Sequence, residues 1–418
     1  MISPWTWTLR RLRRKLWVPI AAFGLVGLVT ALAAAATPAF LPEGSKGLVA
    51  ANAVTSILQI MATSLLTVTT FSVSIMISAF GSAAQGASPR ATPLLRDDSV
   101  TRHVLATFTG GFIYSLVSII GLETGIYGRE GRLLIFLVTL CVLAAIVWQL
   151  VHWIGHLADY GRLPDTITRV EEAAAQALAD RIAHPYLGGR PLEAIDPQAK
   201  PVASTRTGYV RIIDIAALDR LCAERGATVS LAALPGGFVH PGAPLAHVTG
   251  DADPEAIEKA FVIGRTRSFD QDPRFGTLIL TEIAQRALSP AVNDPGTAID
   301  ILGRHLRVLA AWARTSPTDA PHPNVLVPAM RLADQMEDAF AAIARDGAGM
   351  IEVQVRLMKT LAALLDLSPV FADSARQQAN RALALAEAAL PLDEDKARLR
   401  ALHALIVTPD SPAPRATA

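Results

Sequence analysis

Charge is missing from one long stretch of this sequence: between Lys46 and Arg90 there is no Asp, Glu, Lys or Arg. A helix of that length would reach roughly 60 Å, about twice the hydrocarbon core of a bilayer. The stretch is nevertheless rich in Ser, Thr, Asn and Gln. The lack of an ionisable side chain argues against a proton-coupled pump, which generally uses one inside the membrane. The segment therefore predicts a membrane-spanning helix with polar but uncharged side chains.

Cysteine is also scarce. The two cysteines, Cys141 in an apolar segment and Cys222 in a charged region, argue against a disulfide framework. The net charge of +1 comes without a basic patch interleaved with aromatic residues, so no nucleic-acid partner is expected. The sequence has no P-loop, nucleophile elbow, zincin helix or dinucleotide fingerprint. No cofactor is evident from these patterns, and none of them supports an enzyme.

Apolar segments in residues 1–158 predict four membrane-spanning helices, at about 16–36, 50–83, 103–122 and 133–155. Basic residues are concentrated before the first segment and after the second, and the positive-inside rule assigns both regions to the cytoplasm. We therefore expect a multi-pass membrane protein with both termini in the cytoplasm. The first segment also has the basic start, apolar run and small residues of a cleaved signal peptide. Its length and the three spans after it favour a retained anchor.

Beyond residue 158 the sequence has the dense charge of a water-soluble region and predicts a cytoplasmic α+β domain. Short apolar segments separated by Pro-Gly turns are typical of a small β-barrel or sandwich. Amphipathic segments after them predict a helical bundle. The predicted parts are a helix and linker at 159–204, the β module at 205–252, the helical domain at 253–407 and a disordered tail at 408–418.

The polar residues of the second predicted span recur at steps of three or four, which places them on one face of a helix. A membrane helix turns such a face away from lipid, toward protein or water. The face can line a solvated path, or it can pack against other helices, since each hydroxyl can also bond to a carbonyl one turn earlier. The candidate pore-lining residues are Asn52, Ser56, Gln59, Thr63, Thr67, Thr70, Ser74 and Ser78.

A second candidate site combines carboxylates, which bind cations, with arginines, which bind anions. A structural interpretation is also open, because Asp294 followed by Pro295 is a helix N-cap pattern. Glu282 with Arg286, like Asp300 with Arg304, has the spacing of an ion pair within a helix. The candidate ligand- or ion-binding residues are Arg265, Arg267, Asp270, Asp272, Arg286, Asn293 and Asp294.

Two histidines, His152 and His156, lie one turn apart near the cytoplasmic end of the fourth predicted span. This spacing can bind a metal ion. No Glu or Cys accompanies the pair to complete a metal site. Histidines at the end of a span are more commonly polar residues that lie at the membrane interface.

Two segments resemble the signature of a bacterial membrane family. They are Arg-Thr-Arg-Ser-Phe-Asp-Gln-Asp-Pro-Arg-Phe-Gly from Arg265 and Ala-Leu-Ser-Pro-Ala-Val-Asn-Asp-Pro from Ala287. With Phe71-Ser72 and Ser88-Pro89-Arg90, they are similar to domain-of-unknown-function family 2254, a group of predicted membrane proteins. The resemblance implies four spans followed by a cytoplasmic domain in the bacterial inner membrane. It implies no activity, catalytic residue or ligand.

Two functional hypotheses follow. In the first, a homo-oligomer in the lipid bilayer forms a channel or conduit lined by the second span and regulated by the cytoplasmic domain. The loop from Gln85 to Asp98, which Ser88-Pro89 takes out of the helix, would then gate the path or contact the charged half of the chain. In the second, a membrane-anchored sensor or scaffold binds an ion, small molecule or protein through its cytoplasmic domain. An enzymatic interpretation depends on the charged cluster alone.

Overall fold

The computed structural model describes residues 51–96, 98–124, 129–158, 160–314 and 320–408, with isolated residues between 18 and 33. The described chain is mostly helical and forms two compact units. Residues 51–85 and 91–166 make up the membrane unit, and residues 86–90 and 167–408 make up the α+β unit. Most of the first predicted span, 16–36, lies outside the described residues, and so does the predicted tail, 408–418, apart from Thr408.

Three helices of the membrane unit are long and apolar enough to cross a bilayer. They coincide with the second, third and fourth predicted spans, and a short helix, α2, lies in the loop after the first of them. The helices are α1 (Ala51–Gly86), α2 (Thr92–Arg96), α3 (Ser99–Glu123) and α4 (Arg129–Leu157). At 1.5 Å per residue α1 is about 54 Å long, which exceeds the hydrocarbon core.

The central helix of this unit is α3. In its apolar segment 56% of the residues are buried, against 22% in α1 and 17% in α4. A side chain at Gly111 would place its Cβ 2.9 Å from carbons of both Leu65 and Ile146, so glycine permits the close approach. Hydrogen bonds add to this packing. The Trp153 indole donates to Ser72 Oγ at 3.0 Å, linking α4 with α1.

The α+β unit contains two sheets. The first has the strand order β1-β8-β4-β6-β2 and the second has the order β5-β3-β7. Strand β8 pairs in parallel with β1 and β4, and the other pairs are antiparallel. The strands are β1 (Arg190–Pro191), β2 (Lys200–Ala203), β3 (Gly208–Ile213), β4 (Thr228–Leu231), β5 (Phe238–Val239), β6 (Pro244–Thr249), β7 (Phe261–Gly264) and β8 (Val325–Val327).

The sheets also contain strands from before and after the predicted β module. Strands β1 and β2 lie in the predicted linker, where Pro191 and Pro201 are compatible with strands at the edge of a sheet. Strands β7 and β8 both come from the region predicted as helical, 253–407. Strand β8 lies between β1 and β4. A three-residue apolar segment has no periodicity that separates strand from helix, so its pairing is decided by distant residues.

Helices complete the α+β unit. Among those of the bundle, α8 packs against α9 and α10, and α11 packs against α9, α12 and α13. Phe340 of α10 is fully buried in the bundle core. The helices are α5 (Leu163–Ala183), α6 (Ile215–Ala223), α7 (Pro254–Lys259), α8 (Pro273–Ala287), α9 (Pro295–Leu309), α10 (Leu332–Asp346), α11 (Ile351–Leu367), α12 (Ala372–Ala389) and α13 (Asp393–Val407).

Candidate functional site

The polar face of α1 points away from the helices that α1 packs against. Its apolar residues Leu58, Met61 and Leu65 are buried in the membrane unit. The side chain of Asn52 lies outside the described ones, and the other predicted residues of the face are all exposed in the protomer. They are Ser56, Gln59, Thr63, Thr67, Thr70, Ser74 and Ser78.

Hydroxyl groups on this face donate hydrogen bonds to carbonyl oxygens one turn earlier. Thr67 Oγ1 donates to the Thr63 carbonyl at 3.0 Å, and Thr70 Oγ1 donates to the Leu66 carbonyl at 2.8 Å. Ser74 Oγ donates to the Thr70 carbonyl at 3.1 Å. Because the hydroxyl hydrogens are used within the helix, the oxygens present lone pairs outward. On this face Thr63, Thr67, Thr70 and Ser74 therefore present hydrogen-bond acceptors outward.

Large apolar side chains border the polar face on both sides. At 100° per residue, Ile60 and Phe71 lie along one side of the face, and Leu66 and Ile77 lie along the other. All four are exposed, with Ile60 at 67% and Phe71 at 65%. The exposed surface of α1 is thus a narrow polar strip between two apolar margins.

The exposed surface of α4 has a different character. A shallow depression on it is lined entirely by apolar side chains, including Leu140, Val147, Trp148 and Val151. Such a surface suits contact with acyl chains, whereas the polar strip of α1 does not.

In the α+β unit, Asp272 is a buried carboxylate that organises the start of α8. It caps this helix by accepting a hydrogen bond from the Arg274 backbone N–H at 3.1 Å. Both of its oxygens accept from Arg267, from Nε at 2.6 Å and from a terminal nitrogen at 2.9 Å. Burial raises the pKa of Asp272, while the Arg267 guanidinium opposes that rise. The geometry is that of a charged structural pair in the interior.

A further arginine, Arg181 of α5, is buried and interacts electrostatically with the carboxylate of Asp272. Burial lowers the pKa of Arg181 to about 10, and the Asp272 carboxylate opposes this effect. Arg181 therefore stays charged at neutral pH. Arg181 is not among the residues predicted from sequence, because nothing in the Ala-rich sequence of α5 distinguishes it from a surface arginine.

The Asn293-Asp294-Pro295 segment forms a tight corner between α8 and α9. Asp294 accepts from the Thr297 backbone N–H at 3.0 Å and from its hydroxyl at 2.6 Å, which confirms the predicted N-cap. These hydrogen bonds lower the pKa of Asp294. Asn293 has a φ of 49°, in the left-handed region that asparagine tolerates better than most residues. The motif thus redirects the chain.

The predicted charged cluster is distributed along α8. Asp272 lies at its N-terminus and Arg286 in its last turn, which separates their backbones by about 20 Å. Arg265 and Arg286 are exposed, and Asp270 is half-buried. These residues and Asp294 therefore do not share one centre.

Glu282, in the middle of α8, binds the Ser-Pro-Arg loop. Ser88 Oγ donates to Glu282 Oε2 at 3.0 Å, and the Arg90 guanidinium forms an ion pair with Oε1. The hydrogen bond with Glu282 and its charge raise the pKa of Arg90. Glu282 thus binds the loop in place of Arg286. The prediction that this loop contacts the charged half of the chain is confirmed.

A second ionic network joins α5 to α9. Arg304 and Arg307 both donate to the Glu171 carboxylate, at 2.6 Å and 2.5 Å. Arg304 also pairs with Asp300 at 2.7 Å, which confirms that predicted pair. Burial would raise the pKa of Glu171, but its bonds with Arg307 and Arg304 lower it.

An open groove of about 270 Å³ lies between α8 and α10, with Arg381 of α12 at its side. Glu282, Gln285 and Thr281 line it from α8. Asp338 of α10 also lines it and is held by a bidentate ion pair with Arg274. The groove therefore lies beside Glu282, which also binds the Ser-Pro-Arg loop.

The two candidate metal-binding histidines have different surroundings. His152 is exposed, while His156 is half-buried with Nε2 3.1 Å from Asp98 Oδ2. Asp98 also caps α3 through the Thr101 backbone N–H at 2.7 Å. Within the described ranges, no group of three or more His, Cys, Asp or Glu side chains is arranged to hold a metal ion.

Comparison with known proteins places the chain in a family. The family described as predicted membrane protein (DUF2254) matches residues 13–363. An uncharacterized protein of Mycobacterium bovis is 29% identical over 241 residues, which cover 52% of this chain and 44% of the relative. An uncharacterized protein of Mycobacterium tuberculosis shows the same identity and coverage. The chain therefore spans less than half the length of these curated relatives. No solved structure matches it.

The family match covers the three candidate membrane helices, the Ser-Pro-Arg loop and the α8–α9 corner. The chain belongs to the DUF2254 family of predicted membrane proteins.

Proposed function

We propose that this protein is a homo-oligomer in which the polar faces of α1 meet around an axis and line a passive path through the bilayer. The observation that carries the proposal is the exposure of that face in the protomer. From Ser56 to Ser78 the face extends for about 33 Å, close to the ~30 Å thickness of the hydrocarbon core. A polar surface of that length needs protein or water against it.

The margins of the face support the arrangement. In a closed ring, Ile60 and Phe71 of one copy meet Leu66 and Ile77 of the next, and these apolar contacts seal the polar strip from lipid. The α4 surface, with Val147 and Trp148, is left for the acyl chains.

The chemistry of the strip indicates what it conducts. Helix α1 has no charged residue, so its acceptor oxygens replace part of a hydration shell without a fixed charge. This suits small hydrated ions or uncharged polar solutes moving down their gradient.

Electrical recording of the purified full-length protein in planar bilayers tests the proposal. Thr67→Val removes one hydroxyl from the strip at almost constant volume and should lower the conductance severalfold. The matched variant Val147→Thr adds a hydroxyl to the α4 surface and should leave conductance unchanged. A wild-type protein that is silent with all common ions, or equal effects of the two variants, would contradict the conduit.

We keep a second candidate function, a membrane-anchored sensor, because of the groove between α8 and α10. The groove has carboxylates and arginines on its walls, so ions and small charged molecules are the expected ligands. Thermal unfolding of the full-length protein in detergent, with divalent cations, phosphate or nucleotides added, tests this function. A shift in Tm that Gln285→Ala abolishes supports a sensor, and no shift with any of them opposes it.

A further inference from the structure

The loop that follows α1 is held by a single carboxylate of the α+β unit. We infer that Glu282, through Ser88 and Arg90, couples this unit to α1 and so regulates the path that α1 lines. The regulatory consequence rests on the proposed function, whereas the coupling itself is a property of the protomer.

The short loop after α1 makes many contacts. Ser88 is 3% exposed and uses its hydroxyl twice, as donor to Glu282 and as acceptor of the Arg90 backbone N–H at 3.2 Å. Arg90 binds the other oxygen of Glu282. Ala87, between α1 and Ser88, is also buried. The loop is therefore packed as part of the α+β unit.

The chain between the end of α1 and the contact with Glu282 is short. Helix α1 ends at Gly86, and Ser88 is only two residues beyond it. Two extended residues span at most about 7 Å. A shift of Glu282 by more than this length therefore pulls on the last turn of α1 or breaks the contact.

Two consecutive helices, α8 and α9, bind the chain segments next to the membrane unit. Helix α8 holds the segment that leaves α1, through Glu282. Helix α9 holds α5, the helix that follows α4 in the chain, through Arg304 and Arg307. The corner formed by Asn293 and Asp294 joins α8 directly to α9. One helical hairpin thus binds both chain segments that lead to the membrane unit.

The ion pair between Arg90 and Glu282 is accessible to solvent. The Arg90 side chain is 62% exposed, and that of Glu282 is 29% exposed. An ion pair open to solvent is weak enough to be made and broken under physiological conditions. Glu282 also lines the groove between α8 and α10, so a molecule entering the groove meets the same carboxylate that holds the loop.

Hydrogen exchange of the full-length protein in nanodiscs tests the coupling. Glu282→Gln and Arg90→Ala should each raise exchange severalfold in peptides covering residues 78–91, since the end of α1 loses its restraint. Arg286→Gln, a change one turn further along α8, should leave these peptides as in wild type. Combining Arg90→Glu with Glu282→Arg should restore much of the protection.

The result that overturns the inference is unchanged exchange of residues 78–86 in both single variants. Recording from the same variants separates this result from the conduit proposal. Altered conductance together with altered exchange supports both. A silent wild-type protein whose variants still show raised exchange supports the coupling and rejects the conduit.

Discussion

At the scale of single residues, the candidate charged positions divide into structural and surface groups. Asp272 is buried against Arg267 and near Arg181, so its charge balances arginines inside the protein. Asp294 also caps a helix, and its carboxylate accepts hydrogen bonds from the backbone N–H and the hydroxyl of Thr297. Both carboxylates come directly before a proline in the sequence. Removing the charge of Asp272 leaves Arg267 without its partner, whereas removing that of Asp294 affects only a helix cap.

Replacing Asp272 by Asn should destabilise the α+β unit by about 3–5 kcal/mol, because a buried ion pair that loses one partner leaves an uncompensated charge. Asn retains the ability to cap a helix, so the effect reports the lost charge. Urea denaturation in detergent, followed by circular dichroism, measures it. The matched variant Asp294→Asn should cost less than ~1 kcal/mol, because Asn is nearly as good a cap. Equal losses would argue against the charge-balancing role of Asp272.

His305 makes a pH-dependent contribution to stability. It is fully buried, and burial lowers the pKa of its imidazole to about 3. Below about pH 6.5 the imidazole of His305 therefore binds a proton in the unfolded chain but not in the folded chain. As a result, the folded state loses stability as the pH falls. We expect a decline of up to about 1.4 kcal/mol per pH unit below pH 6.5.

Between pH 6.5 and 5 this dependence should become much weaker in His305→Leu, measured by urea denaturation at each pH. The part that remains includes the contribution of His403, whose pKa burial also lowers. Carboxylates whose pKa is lowered, such as Glu171 and Asp346, lose their stabilisation only in more acid solution. A pH dependence that persists unchanged in the variant would assign it to other groups.

At the scale of elements, α1 is the helix whose exposed surface is least suited to lipid. Its buried side packs against α3, and its polar strip faces outward with apolar margins. Homo-oligomerisation through this strip predicts that the same residue of two copies approaches closely near the axis.

Cysteine cross-linking tests this arrangement. In a protein with Cys141→Ser and Cys222→Ser, Thr67→Cys should form disulfide-linked dimers under mild oxidation, because copies of α1 face each other. Val147→Cys, on the exposed apolar surface of α4, should stay monomeric on non-reducing gels. Similar dimer yields at the two positions would indicate random collision in the membrane.

At the scale of the whole molecule, the chain combines a membrane unit with an α+β unit that contains both sheets. The positive-inside rule, applied to the basic residues around the candidate spans, predicts that the α+β unit and both termini lie in the cytoplasm. In that orientation, the proposed coupling through Glu282 would act from the cytoplasm on the adjoining end of α1.

Reporter fusions in a bacterial inner membrane test this orientation. A green fluorescent protein fused after Ala418 should fluoresce, and alkaline phosphatase at the same position should be inactive, since it requires the oxidising periplasm. Active phosphatase would reverse the assignment of the α+β unit.

Much of this architecture follows from local patterns. The uncharged stretch and the 3.6-residue spacing of polar residues predict α1 and its polar face, because both are properties of a single helix. The Asp294-Pro295 cap is likewise local, since its hydrogen bonds reach only to Thr297. Backbone geometry and neighbouring side chains suffice to determine such features.

Only the tertiary structure decided the partners of the charged residues. Glu282 has a suitable partner one turn away in Arg286, yet it binds Ser88, 194 residues distant in the chain. Strand β8 likewise joins a sheet whose other members come before residue 250. Such contacts depend on how helices and strands pack, and packing is set by shape and burial summed over many residues, which no short segment contains.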